Sequence, residues 1–309
     1  MISVIMLTYN RERLVSRAIE SILNQTYRDF EFLIVDNGST DKSGKIADTY
    51  AKQDARIRVI HRERGNIGAG RNTGLDAARG AYITFLDDDD WVEPDFLEFL
   101  LDLLEGNQAD VSICGTESKA LDERTVMTAQ EALVELMWRQ KYTTGFPMKL
   151  FRRQLAEGLR FSETGRYDDS GVIYKLFAQA KIIASHGLPK DHVLRHGGNN
   201  SAWTTNYELL NRETLEEYLG AYRRRTEWLS EKFPDYAPAW QYFEWSFMIS
   251  MVEKVTRLRR SDCYPLRDRL VMELRTNQEA FLSCPKILDF ERKWVEEYVA
   301  AIERYQGKG

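Results

Sequence analysis

Short apolar runs alternate with amphipathic stretches through the first 115 residues. Ser3–Thr8, Phe30–Val35, Ile57–Ile60, Tyr82–Leu86 and Val111–Cys114 are short and largely apolar, so each predicts a buried strand. Between them, Leu14, Ala18, Ile22 and Leu23 recur at helical spacing behind Asn10, which is placed to cap that helix. Ser43–Gln53 and Gly68–Arg79 read as further helices, the second stopped by Gly80. Pro94 suits the first turn of a helix that runs to about Leu104 and stops near Gly106. Repeated strand–helix–strand units with short links predict an α/β fold, a mixed but mostly parallel sheet flanked by helices on both faces.

The rhythm changes after Gly115. Thr128-Ala-Gln-Glu131 is a capping box ahead of a helix that ends at Trp138. Phe146–Arg153 mixes apolar and basic residues, Asp168–Ala180 reads as a helix, and Ile182-Ile183 as a brief strand. Gly197-Gly198-Asn199-Asn200 marks a loop. From about Tyr207 the pattern is helical and amphipathic, punctuated by Pro234, Pro238, Pro265 and Pro285. Its aromatics, Trp228, Trp240, Trp245 and Trp294 among them, read mostly as helix packing, with an acceptor platform or a partner or lipid surface as the minority reading. The expected organisation is one domain over 1–205, with halves 1–115 and 116–205, and a helical C-terminal region over 206–309.

The four aspartates Asp87–Asp90 directly follow the Tyr82–Leu86 run. Carboxylates so placed repel one another and raise each other's pKa unless a cation or water screens them. At the carboxyl end of a strand in an α/β sheet, where ligands bind, a hard divalent ion that holds a phosphate is the natural reading. A solvated acidic loop is the plainer one. Three other polar segments end or follow strands: Thr8-Tyr9-Asn10, Asp36-Asn37-Gly38-Ser39-Thr40-Asp41, and Asn66 to Gly74. Each alone is ordinary turn or helix-packing chemistry, but a parallel sheet brings them to one edge. Asp36 and Asn37 can bond a base or ribose. Glycines 65, 68 and 70 allow close backbone approach, and a helix N-terminus favours phosphate. Arg71 suits a nucleotide or phosphate; the alternative is a salt bridge to the aspartate run. Asp87 and Asp89 divide the work on this reading, one on ribose and the other on Mg or Mn.

Composition narrows the picture further. With 43% hydrophobic and 29% charged residues in 309, the chain can bury a sizeable core. The net charge of -5 argues against a nucleic-acid binder relying on a broad basic surface. Cys114, Cys263 and Cys284 are too scattered for a metal pair or a disulfide framework, which fits a reducing, cytoplasmic compartment. The apolar start, Met1–Leu7, reads as a strand rather than a signal peptide, and no apolar stretch approaches a membrane span.

Taken in order, Val4–Asn10, Val35–Asp41, Asn66–Gly74 and Phe85–Trp91 resemble the family 2 glycosyltransferases of the GT-A (Rossmann-like) fold, over roughly the first two-thirds of the chain. The resemblance implies a nucleotide-sugar donor, a divalent metal (Mn or Mg), and inverting transfer to a hydroxyl of a glycan or lipid-linked acceptor in bacterial surface polysaccharide synthesis. It carries the Asp-x-Asp-like motif onto Asp87, Asp88 and Asp89, with Asp89 as metal ligand, and the nucleotide site onto Thr8, Tyr9, Asp36 and Asn37. It also carries the Glu-Asp motif onto Asp168 and Asp169, with Asp169 as the base that deprotonates the acceptor; helix capping is the bland alternative. Leu194–Ser201 resembles a late basic segment, with His196 as a third metal ligand or diphosphate contact and Arg195 offsetting phosphate charge. Lys149 stands in a segment near the acceptor, where the alternative is a strand edge with solvated basic residues. Two departures stand out: Leu7 replaces a frequent proline, and Asn37 replaces an aspartate. An amide accepts and donates, so a UDP-sugar is the first expectation and a CDP-sugar a live one.

Two rivals remain open at this stage: a sugar nucleotidyltransferase, and a non-catalytic nucleotide-sugar-binding module. The basic clusters Arg223–Arg225 and Arg257–Arg260 read as solvated helix faces, with docking at the anionic inner face of a membrane or a homodimer contact as alternatives.

Overall fold

The computed structural model describes residues 1–164, 168–196 and 207–300. They divide into two compact units, the first ending at Leu194 and the second beginning at Arg195.

In the first unit the predicted alternation is realised as β1 (Ile2–Thr8), α1 (Val15–Leu23), β2 (Phe30–Asp36), α2 (Ser43–Ala51), β3 (Ile57–His61), α3 (Ile67–Ala77) and β4 (Tyr82–Asp87). Then come β5 (Trp91–Val92), α4 (Phe96–Gly106), β6 (Val111–Thr116), β7 (Leu121–Thr128), α5 (Ala129–Trp138), β8 (Lys149–Arg152), α6 (Asp168–Phe177) and β9 (Ile182–His192). Among the described residues nine strands form one sheet in the order β3-β2-β1-β4-β8-β6-β9-β5, with β7 also paired to β9. β3, β2, β1 and β4 are mutually parallel, as are β6 and β9; β8 runs antiparallel between β4 and β6. This is the mixed, mostly parallel sheet that the pattern predicts. Strand order reverses between β1 and β4, because the chain moves outward from β1 to β3 on one side and returns to the other. Such a switch point opens a crevice at the carboxyl ends of the strands.

Helices cover the sheet because both of its faces are apolar. Val4, Met6, Phe32 and Ile34 pack against Ile19 and Ile22 of α1 and Leu97, Leu100 and Leu104 of α4. The opposite face takes α3, and the fit there is tight. A Cβ added at Gly74 would stand 2.4 Å from Ile5 Cγ2, and one at Gly70 2.5 Å from Leu7 Cδ2. The two glycines therefore bring the α3 backbone down onto β1, which sets the depth of everything α3 carries.

Several local expectations change. Asn10 does not cap α1, whose N-cap position is Leu14. Asn10 adopts φ +53°, and its side-chain oxygen accepts from Thr40 N at 2.8 Å, tying the β1–α1 loop to the β2–α2 loop. β9 extends eleven residues rather than two because its polar second half, through Asp191 and His192, still pairs with β5 and β6. The Phe146–Arg153 segment supplies β8, an interior strand, so Lys149 is buried rather than solvated. The capping box at Thr128 and Glu131 forms as predicted.

The second unit holds α7 (Arg212–Lys232), α8 (Ala237–Arg257), α9 (Tyr264–Thr276), α10 (Gln278–Leu282) and α11 (Asp289–Trp294). Trp240 and Trp245 are buried, as core packing requires, and Tyr222 stacks on Phe247 with ring centroids 3.8 Å apart. Buried Glu291 is satisfied by the Tyr242 and Ser246 hydroxyls and by Leu288 N. No helix among the described residues is long and apolar enough to cross a membrane.

Candidate active site at the strand switch point

The carboxyl ends of β1, β2 and β4 lie side by side, since Thr8 pairs with Asp36 and Leu7 with Asp87. Asn37 N donates to Thr8 O at 2.9 Å, and Tyr9 N to Asp88 Oδ2 at 3.1 Å, so the three strand-end motifs are stitched together. Asp87–Asp90 form a turn closed by Asp90 N on Asp87 O at 3.2 Å. Within it, Asp87 is exposed, whereas Asp89 and Asp90 are buried.

Two of these carboxyls are held toward the protonated form. Burial, then the neighbouring charge of Asp89, pushes Asp88 up to about 8. Burial, then Asp87 and Asp191, pushes Asp90 up to about 9. Arg11 offsets part of this charge, its Nε 3.5 Å from Asp88 Oδ1 and 3.7 Å from Asp89 Oδ2. Arg17 donates to the Asp89 carbonyl at 2.7 Å while its guanidinium stacks on Trp91. Arg11 and Arg17 thus hold the turn from the side of β1 and α1.

Asp36 and Asn37 are buried and engaged within the protein. Asp36 accepts from Ser39 N at 3.0 Å and meets His61 Nδ1 at 2.9 Å. Asn37 Oδ1 accepts from Arg62 Nη1 at 2.6 Å, and Asn37 Nδ2 donates to Gly65 O at 2.9 Å. The Tyr9 ring lies beneath the Arg64 guanidinium at 3.9 Å. Gly38, at φ +83°, lets this loop close, because a Cβ there would stand 2.7 Å from Arg64 N.

Arg71 is the link to the second half of the unit. It is buried on α3, bonds Asp169 Oδ1 through Nη1, and holds Nη2 3.8 Å from Asp87 Oδ1. Asp169 stands in the first turn of α6, and the Phe85, Phe146 and Phe161 rings surround the guanidinium. Lys149 is fully buried, donating to Thr143 O at 3.0 Å and Gly145 O at 2.5 Å; burial pushes it down to about 8. A Cβ at Gly145 would stand 3.9 Å from Asp169 Oδ2, so Lys149 shapes the loop beside Asp169. Residues 165–167 lie outside the described residues, as does the Asp168 side chain.

A family model for Glycosyl transferase family 2 matches residues 3–161, the stretch that builds this crevice. The chain belongs to that family. The uncharacterized glycosyltransferase EpsJ of Bacillus subtilis is 38% identical over 200 residues, covering 59% of this chain and 58% of that protein. The family 2 chain therefore spans about three-fifths of the length of the curated relatives it matches. Among solved structures, Staphylococcus aureus TarS 1-349 in complex with UDP-GlcNAc superposes with a TM-score of 0.58 at 20% identity, over 99% of this chain and 91% of that one. The mannosyltransferase PcManGT from Pyrobaculum calidifontis, in complex with GDP-Man and Mn2+, gives 0.57 at 17% identity, over 100% and 88%. The fold of this family 2 member is the GT-A fold of these glycosyltransferases.

Sequence reasoning brought Thr8, Tyr9, Asp36, Asn37, Arg71, Asp87, Asp88, Asp89 and Asp169 to one crevice, and they meet there. Arg195 and His196 open the second unit, and the 197–206 part of their segment lies outside the described residues. Three participants went unassigned. Asn72 clasps Phe161 through both backbone groups, at 2.9 and 3.0 Å, and its place inside the Asn66–Gly74 motif was the available signal. Arg11 faces the aspartate turn from the segment behind Asn10. Asp191 reaches the acidic group from β9, whose polar half carries no strand pattern.

Proposed function

We propose that this family 2 glycosyltransferase moves a sugar from a nucleoside-diphosphate sugar to a hydroxyl of a glycan or lipid-linked acceptor, with inversion at the anomeric carbon. A UDP-sugar is the first choice of donor, in keeping with the UDP-GlcNAc bound to TarS, and a CDP-sugar the second. The observation that carries the reading is the bridge made by Arg71, which joins Asp169 to Asp87 and so brings the candidate base to the aspartate turn. Transfer needs both at one place: a base for the acceptor hydroxyl, and a site for the leaving diphosphate on the opposite side.

A divalent cation fits the turn. Its donors are carboxylate oxygens; among the described residues no three acidic or imidazole side chains converge on one point, and few protein ligands suffice when phosphates and water supply the rest. Asp89 would hold such an ion, Mn or Mg, which supplies charge neutralisation to the departing diphosphate when bound. The protein's own contribution is separate. Thr8, Tyr9, Asp36 and Asn37 line the base and ribose side, with Asp87 and Asp88 at the ribose–diphosphate side. Asp169, about a quarter exposed, takes the acceptor proton through its carboxylate. Orienting the two substrates across the crevice lowers the barrier by removing the entropy of their encounter.

A donor screen that reads release of UDP, CDP, GDP or dTDP tests the activity, and release of pyrophosphate from a nucleoside triphosphate would favour a nucleotidyltransferase instead. Asp169→Asn is expected to keep donor affinity, read by titration calorimetry, and to lose transfer by 10²-fold or more, the range on the order of general-base contributions. Equal loss of both would make Asp169 a structural residue.

A further inference from the structure

Arg71, a donor contact on sequence grounds, bonds a carboxylate of α6. The side chain is only 7% exposed, and the centroids of Phe85, Phe146 and Phe161 lie 5.7, 5.9 and 5.4 Å from its Cζ. Three rings from β4, from the loop before β8 and from the segment after it fix the guanidinium by cation–π attraction and keep water away. In that surrounding, an ion pair is far stronger than at a wet surface, and a buried guanidinium without a carboxylate would be costly. The carboxylate it meets is Asp169, through a direct Nη1–Oδ1 bond, and its other terminal nitrogen lies 3.8 Å from Asp87.

We propose that Arg71 is the positioning residue of the base: it keeps Asp169 ionised and aimed, and it ties that carboxylate to the donor end of the crevice through Asp87. The inference rests on Asp169 as the base. A guanidinium bonded to a carboxylate favours its charged form. Among the described residues, Arg71 from α3 and Lys149 from β8 are charged groups that face Asp169, and Asp87 of β4 faces Arg71 from its other side. Lys149 bonds two carbonyls, so its orientation is spent on the 143–145 loop, and the direct grip on the carboxylate is Arg71's. The rings come from three separate segments, and Asn72, the next residue of α3, clasps the segment bearing Phe161. The helix, the cage and the base are therefore assembled as one block.

The test is the pH profile of kcat/KM for transfer, with donor affinity measured in parallel, for Arg71→Met, Arg71→Lys and Asp169→Asn in the full chain. Met fills the aromatic cage without charge, and Lys keeps the charge but loses the fork. Arg71→Met should move the acidic limb up by about one pH unit or more, with tenfold or greater loss at low pH that largely recovers at high pH. Its donor Kd should change less than threefold, and Arg71→Lys should lie between it and the parent. A tenfold rise in donor Kd with an unmoved limb would overturn the inference and return Arg71 to the donor. An unmoved limb in folded Arg71→Lys and Arg71→Met, beside an inactive Asp169→Asn, would overturn the Arg71 role alone. An Asp169→Asn enzyme that transfers normally would instead overturn the base assignment beneath it.

Discussion

Asp191 sits on β9 opposite Val92 of β5, is 1% exposed, and among the described residues its Oδ1 has no hydrogen-bond partner. Burial, then the charge of Asp87, pushes it up from 3.8 to about 7, against the pull of His192 and Lys149. Between pH 4 and pH 7 the folded chain keeps this proton while the unfolded chain has lost it. Folding is therefore destabilised progressively as pH rises through that window, and the loss is complete above about 7. At about 1.4 kcal/mol for each pH unit, the rise amounts to about 4 kcal/mol. Asp191→Asn keeps the shape and removes the ionisation. Part of the gain is offset, because the Asp191 charge helps keep buried Lys149 protonated. We expect the variant to match the parent at pH 4.5 and to exceed it by about 2 to 4 kcal/mol at pH 8, measured by urea unfolding in the presence of EDTA. Parallel stability–pH curves for the two proteins would refute the reasoning, as would an Asn variant that is weaker at pH 8.

Two further perturbations probe how α3 is seated. Gly74→Ala places a Cβ 2.4 Å from Ile5 Cγ2, and overpacking of about 1 to 3 kcal/mol should exceed the gain in helix propensity of about 1 kcal/mol, so the urea midpoint should fall. Gly106→Ala, with nothing within 4 Å of the new Cβ, is the control and should be neutral or stabilising by up to about 1 kcal/mol. Asn72→Ala strips partners from Phe161 N and Phe161 O together, which should cost about 2 to 4 kcal/mol in the same unfolding assay; a cost under 1 kcal/mol would mean that water replaces the amide.

The parts of this fold legible in the sequence are those with a local signature. The strands β1, β2, β3, β4 and β6 are short apolar runs, and their order along the chain alone puts Thr8, Asp36 and Asp87 on one edge. The Thr128–Glu131 box is legible for the same reason, since both partners lie within one turn. What stayed hidden depends on pairing over long separations. β8 contains Lys149 and Arg152, and only its position between β4 and β6 makes it interior, with Lys149 answered by carbonyls four and six residues away. β9 reads as two residues because Gly187, Pro189 and Lys190 break the apolar run, yet the ladder continues through them with irregular register.

Asn10 shows how a correct residue can carry the wrong role. Its position before an apolar helical pattern is the usual place for a cap, but a left-handed backbone turns the side chain toward the β2–α2 loop, where Thr40 N is waiting. Arg71, a permanent cation in a glycine-rich segment leading off a strand edge, points to phosphate on sequence grounds. What it meets in the fold comes from far along the chain: Asp169, 98 positions away, bonds the guanidinium, and Phe146 and Phe161 lie against it. Sequence proximity names the chemical groups that can take part; which pairs form is fixed by the depth at which two glycines seat α3 on β1. For that reason Gly74→Ala should act on transfer as well as on stability: by lifting α3 it moves Arg71 away from Asp169. A variant that lost stability but kept the parent's pH profile would show that the helix can be displaced without disturbing the pair.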